Sequence, residues 1–152
     1  MIRVGSALAS IFLVAACASS GAVQTSQNTA IITARAAPVC GGVGAAQVAQ
    51  KQAAIETIRA GYDRYIIESG ASANTVQVTQ VPGTASTFGS VYGNTFSATT
   101  VYQPRTVVSG GHEQSFDIRM FREGDVGASN AISARQTLGS DWQAIVSDGT
   151  VR

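Results

Sequence analysis

From Val43 to Ala60 the chain is rich in alanine and glutamine, and Val48, Ile55, Ile58 and then Tyr62 recur at steps of three, four or seven. That spacing gathers them on one face of a helix. Gly61 ends it, having no side chain to oppose a left-handed cap. "YDRYIIE" follows as a strand whose adjacent Ile66 and Ile67 put apolar groups on both faces, as central strands do. "SGASAN" reads as a turn. "TVQVTQV" alternates, with Val76 and Val78 on one face and Thr75, Gln77 and Thr79 on the other, until Pro82-Gly83 ends it. The strongest alternation lies in "HEQSFDIRMFREGD", where Phe116, Ile118 and Met120 share a face to be buried and Glu113, Asp117 and Arg119 share the wet one. "EGDVG" predicts a turn, and Ala131, Ala134 and Leu138 return to helical spacing before Gly139 breaks it. Ser140 and Gln143 have the spacing of a capping box, which predicts a further helical turn seating Trp142 and Ile145 on the body. Upstream, "AIITAR" reads as a strand through the β-branched Ile31 and Ile32.

One stretch resists this treatment. Between Glu68 and Arg105 lie 36 residues without a charge, dominated by Gly, Ser, Thr and Val and dotted with Phe88, Tyr92, Phe96 and Tyr102. Residues 83–103 within it show no strong helical or alternating pattern. Two readings stand: a long polar β-hairpin whose aromatics pack on the body, or a loosely ordered low-complexity loop. If the strands on either side, "TVQVTQV" and "HEQSFDIRMF", pair with each other, the segment merely closes a loop between them.

The first residues follow another logic. Arg3 is followed by an uncharged, mostly apolar run of 13 residues, Val4 to Ala16. A helix needs about 20 residues to cross the hydrocarbon of a bilayer. A short basic n-region followed by such an h-region is a secretory signal instead. Its end, Val14-Ala15-Ala16-Cys17, closely resembles the lipobox of bacterial lipoproteins. The resemblance implies cleavage between Ala16 and Cys17, diacylglycerol on the Cys17 sulfur and a further acyl chain, such as palmitate, on the new amino terminus. Two or more such chains anchor firmly. Other readings of Cys17 are an ordinary buried cysteine, half of a disulfide, or cleavage at an A-x-A-like site such as Ala16-Cys17-Ala18, which would release a soluble protein. Ala18 stands where aspartate often signals retention in the inner membrane, so the outer membrane is the expected address, with the periplasmic or surface face open. Residues 17–29 would then be the lipidated cysteine and a flexible tether, the latter spanning about 20 Å as a coil.

Composition narrows the function classes. Without Arg3 the remaining basic residues number nine against nine acidic, and Lys51 is the only lysine. A formally neutral chain has no basic surplus to displace counterions from nucleic acid and no polybasic block for anionic lipid. Nucleic acid is therefore not an expected partner. With Cys17 lipidated, Cys40 would be the one remaining thiol in an oxidising compartment, where it could be buried, paired between molecules or reactive. No disulfide framework is expected.

Little catalytic chemistry is legible. His112, the only histidine, sits near Glu113 and Asp117, but strand alternation sends it to the Phe116 side and the acids to the other, so no metal site is expected. A solvent-facing loop histidine is the simpler reading. Cys40 and His112 could make a thiol catalyst only by meeting in space. "GGVG" at residues 41–44 precedes a helix, as an anion cradle would, but lacks the lysine and the long apolar strand of a phosphate loop. No nucleophile elbow, dinucleotide fingerprint, Walker loop, H-E-x-x-H or C-x-x-C occurs.

At "AAIETIRAGYDRYII" and "FDIRMFREGD…NAISARQTLG" the chain resembles small outer-membrane lipoproteins of Gram-negative bacteria, built from a helix, a Gly-Tyr-Asp turn into a strand, a variable Gly/Ser/Thr-rich middle, a strand and a closing alanine-rich helix. The resemblance implies an α+β fold and carries over no catalytic residue; Cys17 alone transfers with a role. The pattern and the resemblance together predict a signal peptide over 1–16 and one small α+β domain over 30–152, with two helices packed on a mainly antiparallel sheet. The expected activity is a non-enzymatic binding or scaffolding module without cofactor, held to the membrane by its lipid and meeting a protein or glycan partner in the envelope. The alternatives are a small periplasmic thiol-dependent enzyme using Cys40, and a surface component whose "TFGSVYGNTFSATTVYQ" strands pair between molecules.

Overall fold

A computed structural model describes residues 18–149 and 151. The signal peptide expected over 1–16 and the expected lipidation site Cys17 lie outside the described residues. The helix expected near 43–60 forms as α1, Gly41–Arg59, and Gly61 adopts a φ of +84° just beyond it. Its buried face differs from the expected one. Ala45, Ala49, Ala53, Ala54 and Ile55 are fully covered, whereas Val48, Ile58 and Tyr62 sit half-buried at the margin. Alanine side chains let the helix backbone lie close to the layer beneath, and the dense interior that results leaves no room for longer chains along the centre line. Two polar residues share this face: Thr57 donates to the Ala53 carbonyl at 2.7 Å, and Gln52 accepts from the Ser20 hydroxyl at 2.9 Å. Their hydrogen bonds make burial tolerable.

Beneath α1 lies a five-stranded antiparallel sheet. The strands in chain order are β1 (Ala18–Gln24), β2 (Thr29–Ala36), β3 (Arg64–Asn74), β4 (Gln77–Tyr92), β5 (Thr95–Ser109), β6 (His112–Phe121) and β7 (Ile132–Ser133). The sheet runs β1-β2-β6-β3-β7, while β4 and β5 pair only with each other. On the helix side Ala30, Ile32, Ala34 and Ala36 of β2, Tyr65 of β3, and Ile118 and Met120 of β6 are buried. The far side faces solvent and carries Arg35–Glu113 at 3.3 Å and Arg119–Glu68 at 2.7 Å. Exposed pairs of this kind contribute only about 0–1 kcal/mol each. Two short helices, α2 (Ala134–Leu138) and α3 (Trp142–Asp148), complete the helical layer, with Trp142 and Ile145 against the core as expected. The architecture is the single α+β domain that the sequence predicts.

Several local expectations fail for identifiable reasons. Residues 18–24 are no tether: β1 pairs with β2 along its whole length, and Ala22 packs on the core. A run of small, uncharged residues suits a leash, but it also suits an edge strand lying under an alanine helix. "SGASAN" is not a turn but the second half of β3, beyond a bulge between Ile67 and Ser69. Pro82-Gly83 does not end its strand; a bulge between Val81 and Thr84 absorbs both residues. "TVQVTQV" does not pair with the 112–121 strand, whose neighbours are β2 and β3. The helix expected through Ala131, Ala134 and Leu138 is broken up into a 3-10 turn, Ala128–Asn130, an extended Ala131, the two residues of β7 and α2. Pairing of Ile132 with Tyr65 at the sheet edge overrides the helical spacing. The capping box does not form, because the Ser140 hydroxyl bonds Asp141 Oδ1 at 3.1 Å. Phe116 is half-buried, its ring lying over Gly70, while Ile118 and Met120 carry the depth of that face.

Tyr65 ties the layers together. Its ring is fully buried, and its hydroxyl lies 3.4 Å from the Gln50 carbonyl of α1 and 3.2 Å from Thr137 Oγ1 of α2. Burial pushes its phenol pKa above the ordinary 10.0, against the pull of those two partners.

Two predictions test this core. Ile118→Ala should cost about 2–5 kcal/mol in chemical denaturation and more than Phe116→Ala, because only the former empties a fully enclosed site. Equal costs would place Phe116 at the same depth. For Tyr65 the folded state holds the phenol proton more tightly than the unfolded state, so stability is fully present below pH 10 and falls as pH rises through the folded pKa. Denaturation midpoints measured upward from pH 9 should therefore decline more steeply for the parent than for Tyr65→Phe.

Candidate functional site

Of the residues singled out by sequence, Cys17 lies outside the described residues. Its neighbour Ala18 opens β1 opposite Ala36. Cys40 closes the 3-10 turn Pro38–Cys40 at the start of α1, is half-buried, and is disulfide-bonded. This corrects the expectation of a lone thiol and of a fold without a disulfide, and a sulfur held in a disulfide offers no thiolate for catalysis. His112 is the first residue of β6, half-buried beside Gly42 of α1, not a loop residue in solvent. Alternation separates it from the acids as expected: Glu113 pairs with Arg35 on the far face, and Asp117 accepts from the Ser69 hydroxyl there. "GGVG" simply opens α1, with Gly41 at φ +66°.

The strand registers bring four strands to one end of the sheet. Ala18 stands opposite Ala36, Ala36 opposite His112, and His112 opposite Asn74. An open cleft of about 610 Å³ lies at this end, with Ala18, Arg35, Thr75, Gly110 and His112 among its walls. From here β3 and β6 continue outward, through Thr75 and Gly110-Gly111, into β4 and β5. The junction is built for close approach. The Thr75 amide donates to the Gly111 carbonyl at 2.9 Å and the Gly111 amide to the Thr75 hydroxyl at 3.2 Å. Gly110 holds a φ of +89°, and a Cβ on it would collide with the Thr75 carbonyl.

Beyond the junction the β4–β5 ribbon is an arm with no layer above or below it; every residue of β5 is exposed. The aromatics do not pack on the body: Phe88 is 68% exposed, Tyr92 91% and Phe96 68%. The hairpin reading of residues 83–103 is thus correct and the expected seating of its aromatics is not. At the tip Gly93 takes a φ of +62°, as a tight two-residue hairpin turn with Gly first requires.

The register reveals a division that linear reading missed. Residues opposite each other across two antiparallel strands lie on the same face. One face therefore carries the pairs Val91/Phe96, Gly89/Ala98, Thr87/Thr100 and Ala85/Tyr102. Its only hydroxyls besides that of Tyr102 bond each other, Thr87 Oγ1 to Thr100 Oγ1 at 2.9 Å, and the Phe96 ring lies over Gly89. The opposite face carries Tyr92/Thr95, Ser90/Ser97, Phe88/Thr99, Ser86/Val101 and Thr84/Gln103 and is mainly polar, Tyr92, Phe88 and Val101 being its larger apolar members. Two stretches of nine residues, Thr84–Tyr92 and Thr95–Gln103, lie between the bulge and the tip, and the first charge beyond them is Arg105. The available signal was the Gly-Asn turn flanked by equal charge-free stretches.

No family model, no curated protein and no solved structure matches this chain. Among the described residues no helix is long and apolar enough to cross a membrane, and no group of three His, Cys, Asp or Glu residues could hold a metal ion.

None of residues 75–111 is buried. Joining Asn74 to His112 through a short Asn-Gly turn in their place should leave the melting temperature of the body close to that of the full chain. Loss of cooperative unfolding in that deletion would make the arm part of the core.

Proposed function

We propose that the chain is a lipoprotein of the Gram-negative outer membrane, anchored through Cys17, whose α+β body is a non-enzymatic scaffold that presents the arm to a partner in the envelope. The observation that carries this reading is the lipobox Val14-Ala15-Ala16-Cys17 at the end of a 13-residue apolar run. It is supported by the place where β1 begins. With Ala18 already in the sheet, acyl chains on Cys17 would hold the arm-root end of the body directly at the lipid surface, without a leash.

The disulfide at Cys40 favours a second reading. In a chain with two cysteines an internal bridge to Cys40 can use only Cys17, and a sulfur in a disulfide cannot also carry a thioether, so the anchored reading requires that Cys40 be bridged to a second molecule. With the internal bridge the exported protein is not lipidated.

Intact mass of the protein extracted from membranes separates the two. Cleavage before Cys17 with added diacylglycerol and an acyl chain is the expected result, and Cys17→Ser should then accumulate as uncleaved precursor away from the outer membrane. A mature chain without lipid, lighter by its thiol hydrogens, would establish the disulfide reading, and normal fractionation of Cys17→Ser would remove the lipid anchor.

A further inference from the structure

We propose that the β4–β5 arm crosses the membrane as one hairpin of a β-barrel closed by several copies of this chain. The inference rests on the anchored reading above for its location, and on five features of the arm for its form. First, an isolated two-stranded ribbon is marginal in water, yet this one extends for 16 and 15 residues per strand with no layer against either face. It needs cover that the described residues do not provide. Second, the two faces differ, because the register separates a face of Val, Phe, Gly, Ala, Thr and Tyr from a face dominated by Ser, Thr and Gln, with Phe88, Val101 and the tip residue Tyr92 among them. That is the division of a barrel wall between lipid and lumen.

Third, the length fits. A membrane-crossing strand needs about 9–11 residues, and nine lie on each strand between the bulge and the tip. Phe96 near the tip and Tyr102 near the bulge stand at the two ends of the apolar face, where barrels place aromatic girdles. Arg105 lies just outside this span. Fourth, the outer edges of β4 and β5 are unpaired among the described residues. Hydrocarbon does not tolerate open strand edges, so insertion demands closure. The β5 edge of one copy pairing with the β4 edge of the next generates a ring in which every strand is antiparallel to its neighbours. Since about eight strands make the smallest barrels, at least about four copies are required. Fifth, Ala18 and the arm root share one end of the sheet. Acyl chains on Cys17 would enter the bilayer beside the point where the arm leaves the body.

The test uses full-length protein reconstituted into phosphatidylcholine–phosphatidylglycerol vesicles, with or without bromine on the acyl chains, which quenches indole on contact. Trp142 is the only tryptophan and is removed as Trp142→Phe. Thr100→Trp then reports the apolar face and Thr99→Trp the polar face at nearly the same depth. Thr100→Trp should lose most of its emission in brominated vesicles and Thr99→Trp should keep most, with Ala98→Trp following Thr100→Trp. Light scattering of the detergent-extracted protein should give a mass of at least about four copies. If Trp142→Phe impairs folding, the same contrast is read as the increment over the Trp142 emission of the parent. Equal quenching at 99 and 100, quenching at neither, a monomeric mass, or fibres in water without quenching would each overturn the barrel. Intact mass of the same sample reads the anchor separately. Lipidated protein without face-dependent quenching removes the barrel and leaves the anchor, whereas face-dependent quenching of unlipidated protein supports the barrel and removes the anchor.

Discussion

Helix α1 lies close against the sheet because the face it buries is built from Ala45, Ala49 and Ala53, which leave the space between the layers to Ile32, Ile118, Met120 and Tyr65. Bulk is thus supplied from below. A larger residue on the helix would force the layers apart or push its neighbours off their rotamers. The same closeness explains why β1 belongs to the body. Ser20 reaches Gln52 across the seam, and Ala22 adds to the cluster, so small residues that look like a linker become an edge strand once the helix lies over them. Tyr65 extends the dependence to the carboxy-terminal helices, since its hydroxyl touches both α1 and α2.

That cover ends where α1 begins, beside His112. Strands β3 and β6 run on past it, and their continuation as β4 and β5 meets no second layer. The ribbon is therefore held to the body by backbone pairing and by the glycine junction at Gly110 and Gly111, not by side-chain packing. An arm from which no residue of 75–111 is buried has a sequence free to answer to other surroundings. Its lack of charge between Glu68 and Arg105 contrasts with the far face of the body, where Arg35, Glu68, Glu113 and Arg119 pair in water.

The proposed addressing signal, the apolar run ending in Val14-Ala15-Ala16-Cys17, is wholly a matter of sequence, because such a signal is read as a linear string before folding. Helix α1 with its Gly61 stop, the alternation of β6 and the α+β class were also legible, since the period of apolar residues reports local geometry directly. The face of α1 was misjudged because Val48, Ile58 and Tyr62 dominate a reading that counts large residues, whereas close packing selected the alanines. The helical spacing of Ala131, Ala134 and Leu138 was real, and all three are buried, but Ile132 found a strand partner in Tyr65 and the helix gave way.

Only the tertiary structure decided which strands pair, and with pairing came everything that makes the candidate site. Register places Ala18, Ala36, His112 and Asn74 at one end of the sheet although they lie far apart in sequence. Register also sorts the arm into an apolar and a polar face, which neither strand displays clearly alone: Phe88 interrupts the polar series of β4, and Thr87 and Thr100 look polar until their hydroxyls are seen to bond each other. A sequence fixes the side-chain period of each strand, but the partner opposite each residue follows from long-range contacts, and those form only when the chain closes on itself.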